Sequence, residues 1–123
     1  MAIFRIQLPT WLSTDPTPIA FSVAFSSVIY RVRLYWDMRA LPARVMRVGE
    51  EPQTGAWRMD LQTLTGAPIL VGRKLVLTDD MWQLFHYRSD VPSGRLRVRR
   101  TDGATQDPGL YDLGGAVAIE YVV

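Results

Sequence analysis

From residue 19 to residue 36 oily side chains alternate with small or charged ones almost without a break. That rhythm restricts the fold more than any other feature of the chain. In "IAFSVAFSS", Ile19, Phe21, Val23 and Phe25 share one parity, and Ala20, Ser22, Ala24 and Ser26 share the other. "VIYRVRLYWD" repeats the pattern, with Tyr30, Val32, Leu34 and Trp36 opposite Arg31, Arg33 and Tyr35. Successive side chains of a strand point to opposite faces, so period two over runs this long predicts half-buried strands. The Ser26-Ser27 neighbourhood is the expected tight turn between them, although it lacks the Asn-Gly pair that such turns favour.

The rest of the chain supports the same reading. "FRIQL" (4–8) alternates and opens as a strand. "PTWLSTDPTP" (9–18) has three prolines and reads as loop, so residues 1–18 form an extended amino-terminal segment. Residues 37–47, interrupted by Pro42, read as an irregular excursion, and 48–55 as turn-rich. "WRMDLQTL" (57–64) places Trp57, Met59 and Leu61 inward and Arg58, Asp60 and Gln62 outward. "ILVGRKLVLT" (69–78) is one strand, or two short ones kinked at Gly72. "DDMWQLFHYR" (79–88) is the one candidate helix, capped by Asp79 or Asp80, with Met81, Leu84, Phe85 and Arg88 at helical spacing. A strand over 95–99, a long loop from 102 to 115 and a closing strand "AVAIEYVV" complete the chain, the last with Val117, Ile119 and Tyr121 opposite Glu120. The expected fold is all-β: a small antiparallel barrel or sandwich of six to eight strands with at most one short helix.

At 123 residues the chain has the length of one domain, here 1–123, and its 48% hydrophobic and 21% charged content is ordinary for a soluble globular protein. It contains no cysteine, which excludes disulfides, cysteine-ligated metals and thiol catalysis. No apolar run reaches the roughly 20 residues that span a bilayer, and "MAIFRIQLPTW" lacks the pattern of a secretion signal. The expectation is a soluble protein made in the cytoplasm, with no membrane partner.

Signatures of catalysis are missing. His86 is the only histidine and has no second imidazole to share a metal. Asp79-Asp80 reads as a helix cap, and Asp102 and Asp107 lack the order of a calcium loop. There is no nucleophile elbow and no glycine-rich phosphate loop. The expectation is no enzyme, no cofactor and no metal; a carboxylate-pair hydrolase would need a cleft with two converging acids.

Two arginine stripes remain. "GRLRVRRTDG" puts four arginines in positions 95–100, with Arg95, Arg97 and Arg99 on one parity and Leu96 and Val98 on the other. Arg31 and Arg33 form the second stripe, extended by Tyr35. Solvated strand faces are the bland reading. A nucleic-acid-contacting β-barrel using these faces is the alternative, but it would want aromatics interleaved for stacking. Arginine, tryptophan, tyrosine and methionine are enriched at protein–protein interfaces, which favours an assembly subunit. The candidate interface residues are Arg31, Arg33, Arg95, Arg97, Arg99, Trp11 and Tyr35.

Three stretches in order carry a resemblance to a known family: an F-x-x-x-F strand running into "YRVRLYWD", then "WRMDLQTLTGAPILVGRKLVL", then "DPGLYDLGGAVAIEYV". Over roughly residues 19–123 the chain resembles the baseplate plug-like proteins of tailed bacteriophages, small structural subunits of the tail tip. It departs from the family pattern in the excursion at 37–55 and in its Pro-rich amino-terminal segment. The resemblance implies a non-catalytic virion tail protein made in the host cytoplasm. Its partners would be other tail and baseplate proteins (hub, spike, tube) in a symmetric multi-copy assembly, with nucleic acid met only in a lumen. On this reading Arg95, Arg97 and Arg99 line an interface or lumen, paired with carboxylates of adjacent subunits. Reversing Arg97 and Arg99 to Glu would then block assembly and leave the isolated domain folded.

Overall fold

The alternating stretches become strands. The computed structural model describes residues 2–37 and 55–123. The expected excursion at 37–47 and the turn-rich stretch at 48–55 lie, apart from Asp37 and Gly55, outside the described residues. Among the described residues seven strands form: β1 (Ile3–Arg5), β2 (Ile19–Phe25), β3 (Val28–Asp37), β4 (Ala56–Thr63), β5 (Pro68–Lys74), β6 (Arg95–Arg100) and β7 (Val117–Val122). They make two antiparallel sheets, one ordered β1-β7-β6 and the other β2-β3-β4-β5. The sheets do not close on each other, so the all-β expectation resolves into a sandwich.

The inner parity of each strand builds the core. Val32, Leu34, Trp57, Met59 and Leu61 from the four-stranded sheet meet Leu96, Val98, Val117 and Ile119 from the three-stranded one, and all are at most 2% exposed. Phe25 joins the layers, its ring 4.7 Å from that of Tyr121 and 5.1 Å from that of Trp82. Such aromatic pairs add stabilisation beyond their buried area.

The Ser26-Ser27 turn forms as expected, with φ of 51° and 68°. Both residues are left-handed in a two-residue connection that ordinarily takes Asn-Gly. Hydrogen bonding from the opposite sheet offsets the strain, because the Ser26 hydroxyl lies 2.7 Å from the Tyr121 hydroxyl and accepts from Ser93 at 3.3 Å. Gly94 serves the same corner. Its φ is +87°, and a Cβ there would stand 2.8 Å from the Val122 carbonyl, so only glycine fits.

The candidate helix at 79–88 does not form; a single 3-10 turn, Gln83–Phe85, takes its place. Asp80 does accept the Trp82 N–H at 2.9 Å, as a cap would. The neighbouring backbone, however, is claimed by β6: Thr78 bridges to Val98, and the Met81 N–H donates to the Leu96 carbonyl at 2.7 Å. Trp82 turns inward, fully buried, while Leu84 is left 75% exposed. Long-range pairing overrides the local spacing. The amino-terminal segment is likewise tied down, β1 pairing with β7 and the 3-10 turn Thr10–Ser13 burying Leu12.

Candidate interaction faces

The two arginine stripes lie on the outer faces of different sheets, so the fold does not bring them together. On the three-stranded sheet, Arg5, Glu120 and Arg97 share one cross-strand row, with Arg95 level with Val122 and Arg99 level with Ala118. Ala118, Glu120 and Val122 point outward by parity, yet all three are buried. Glu120 is the fulcrum of this face. Its Oε1 accepts from Arg97 Nε at 2.9 Å, Arg97 Nη2 at 2.7 Å and Arg99 Nε at 2.8 Å, and its Oε2 accepts from Arg99 Nη2 at 3.2 Å. The Arg99 hydrogen bond, reinforced by Arg97 against the opposing effect of burial, holds the Glu120 carboxyl below its ordinary range. The carboxylate that these arginines grip belongs to their own chain, where pairing with an adjacent subunit was expected. The same geometry gives Arg97 and Arg99 a structural role besides any at an interface, since reversing both would set three carboxylates around the buried Glu120 position.

The four-stranded sheet carries the other stripe. Arg33 sits across from Asp60, with its Nη1 4.0 Å from Oδ2, and its guanidinium lies 5.0 Å from the Tyr35 ring centroid. Asp60 points outward, as its parity requires, but is only 7% exposed. Its Oδ1 accepts from the Gly72 N–H at 2.7 Å and the Tyr35 hydroxyl at 3.1 Å. Burial, and then Asp60, push the Tyr35 hydroxyl pKa upward. Gly72, with φ +66°, lies where the β4–β5 register shifts, and the Asp60 carboxylate takes up an amide that the ladder leaves over. Arg58 completes the cluster, donating to Asp37 at 2.8 Å and to the Gly72 carbonyl at 2.8 Å. Arg31 stands exposed opposite Gln62, with no side-chain partner among the described residues. Trp11, on the Thr10–Ser13 turn, is 48% exposed.

Three of the acids weighed for chemistry in the sequence, Asp80, Asp102 and Asp107, are held by other groups. Asp102 and Asp112 converge on the Arg100 guanidinium at 3.1 and 2.9 Å. Asp107 accepts the Leu77 N–H at 3.1 Å, and the Asp80 carboxylate lies 2.6 Å from His86 Nε2. Among the described residues no group of three or more His, Cys, Asp or Glu side chains could hold a metal ion. Asp60 and Glu120 are the residues that the sequence reading passed over. The available signal was a lone acid on the outer parity of a strand, next to an arginine stripe on the same face.

A family model described as cyanophage baseplate Pam3 plug gp18 matches residues 6–123. The match takes in the Pro-rich amino-terminal segment and the excursion that had looked like departures from such a family. No curated protein matches the chain.

Proposed function

The chain belongs to the cyanophage baseplate plug family and is a structural protein of the phage tail; from this we propose that it plugs or lines the tail tip through contacts made by its outer sheet faces. The observation that carries this reading is the Glu120 face. Four arginines and one glutamate occupy it, and two of the guanidiniums are clamped in fixed positions by that glutamate. A prearranged basic surface binds acidic neighbours with less loss of side-chain freedom than a set of mobile arginines would. The partners are then other baseplate proteins presenting carboxylates, arranged around the tail axis. Protein is favoured over nucleic acid because Tyr35, the aromatic of the second stripe, has its hydroxyl bound to Asp60 and Arg33 over its ring. A stacking platform needs an open ring face.

The test replaces the residue in the phage. Arg95→Glu, together with Trp11→Ser, changes exposed positions outside the Glu120 clamp and should leave the purified protein folded. Particles carrying both changes should fail to complete the baseplate, seen by electron microscopy as tails without a closed tip. Normal tails at wild-type yield would overturn the reading.

A further inference from the structure

Among the described residues the sandwich is closed along one side and open along the other. On the closed side β6 is covered by the chain itself, through Thr78 and Met81, while β5 carries Pro68, the Gly72 irregularity, Arg73 and Lys74. Proline, bulges and positive charge are the devices that keep other chains from pairing with an edge. On the open side β1 and β2 run past each other with none of these along β2. Its seven residues pair with β3 in unbroken register and contain no charge and no proline.

The free side of β2 has a definite hydrogen-bonding pattern. The two-residue turn makes Phe25–Val28 the closing hydrogen-bonded pair, and alternation along the ladder leaves the N–H and C=O groups of Ala20, Ser22 and Ala24 facing outward. Among the described residues no backbone bond meets them. The adjacent interior is also unfinished. Phe4 shares the inner parity of its partner Tyr121 yet is 59% exposed, and Ile19, Phe21 and Val23 are only half-buried. Between them lies an apolar groove of about 290 Å³, lined by Phe4, Ile6, Phe21, Val23, Phe25 and others. Inward-facing side chains left wet, beside a row of unmet backbone groups, are what a missing strand leaves behind.

We propose that the β2 edge receives an extended segment of another polypeptide chain as a fifth strand, with apolar side chains alternating with acidic ones. The apolar parity would fill the groove over Phe4 and Phe21. The acidic parity follows from the outer face, where Ala20 and Ser22 are small and Arg33 and Arg31 stand directly across from them on β3. Strands lie about 4.8 Å apart, so an added strand would sit roughly 10 Å from β3, within combined reach of a glutamate and an arginine over those small residues. A second copy pairing through β2 would bring four arginines to the joint with no carboxylate on either β2, so charge favours the acidic segment. The inference stands on the β1–β2 side alone and does not depend on the role of the Glu120 face.

The experiment measures fluorescence anisotropy of labelled peptides of about nine residues, alternating valine with glutamate or valine with lysine, against the purified protein at low salt. The glutamate peptide should bind saturably and the lysine peptide should not. Ser22→Pro removes an outward N–H at an edge position that tolerates proline, and should weaken binding by at least roughly tenfold while the protein still melts cooperatively. If that variant does not fold, an N-methylated glutamate peptide tested against the unchanged protein makes the same comparison. Arg31→Glu with Arg33→Glu should invert the peptide preference. Absence of saturable binding, equal binding by the two peptides, or indifference to both proline and N-methylation would overturn the proposal. A concentration-dependent dimer lost in Ser22→Pro would also overturn it, in favour of a second copy.

Discussion

Glu120 and Asp60 occupy equivalent places in the two sheets, each on the outward parity of an interior strand, each buried, and each next to an arginine stripe. They reach that state by different physics. Glu120 is held by charge, with two guanidiniums making four hydrogen bonds to it. Asp60 is held chiefly by neutral donors, a tyrosine hydroxyl and a backbone amide, while Arg33 stays at 4.0 Å and 54% exposed. The first arrangement fixes side chains on a surface. The second fixes backbone, because the Asp60 carboxylate takes the amide that the Gly72 irregularity leaves outside the ladder. An outward acid can therefore organise either a binding face or a sheet's shape, depending on which donors surround it.

The largest expected effect comes from inverting the charged arrangement. Arg97→Glu with Arg99→Glu strips Glu120 of its partners and adds two like charges, so the isolated protein should lose its cooperative melt and its soluble expression. A folded double variant would mean that Glu120 is less constrained than its hydrogen bonds imply. Next is Asp60→Ala, which leaves the Gly72 amide and the Tyr35 hydroxyl without their acceptor and should cost about 1–3 kcal/mol by urea denaturation. Asp60→Asn keeps an acceptor and should cost less than half as much. Gly72→Ala forces a Cβ into a left-handed residue and should cost about 1–2 kcal/mol.

Much of this architecture was legible in the sequence. The alternation over 19–36 gave β2, β3 and the Ser26-Ser27 turn, because parity is a local property that a strand cannot alter without turning every side chain over. Gly72 marked the irregularity in β5 for the same local reason. Parity, however, gives direction and not exposure. Asp60 and Glu120 point outward as read, but they are buried by neighbours on other strands, and strand order is not a local property. The segment 79–88 failed similarly: its spacing suits a helix, but the backbone at Thr78 and Met81 is taken by β6. The place of β2 at a sheet edge among the described residues could not be read from "IAFSVAF" either, since nothing in those seven residues gives the strand order.

Smaller effects sharpen the contrast between the two acids. Because the folded pKa of Glu120 is depressed, its contribution is present above the unfolded carboxyl value near 4.5 and is lost as pH falls through the folded value. Wild-type stability should therefore drop in acid below that value, and Glu120→Gln should show a shallower drop. Asp90 and Asp102, lowered by Arg88 and Arg100 respectively, contribute equally in both proteins and cancel in the difference. The smallest effect belongs to Arg33→Ala, whose long, exposed ion pair should be worth less than about 0.5 kcal/mol.

What sets the outer basic face apart is a clamp supplied by its own chain. A double-mutant cycle on Arg97 and Glu120, using alanine at each and urea unfolding, tests this most directly. The clamp predicts a coupling energy above about 1 kcal/mol, clearly larger than that of a matching cycle on Arg33 and Asp60. Coupling near zero at Arg97–Glu120, or no larger than at Arg33–Asp60, would contradict it.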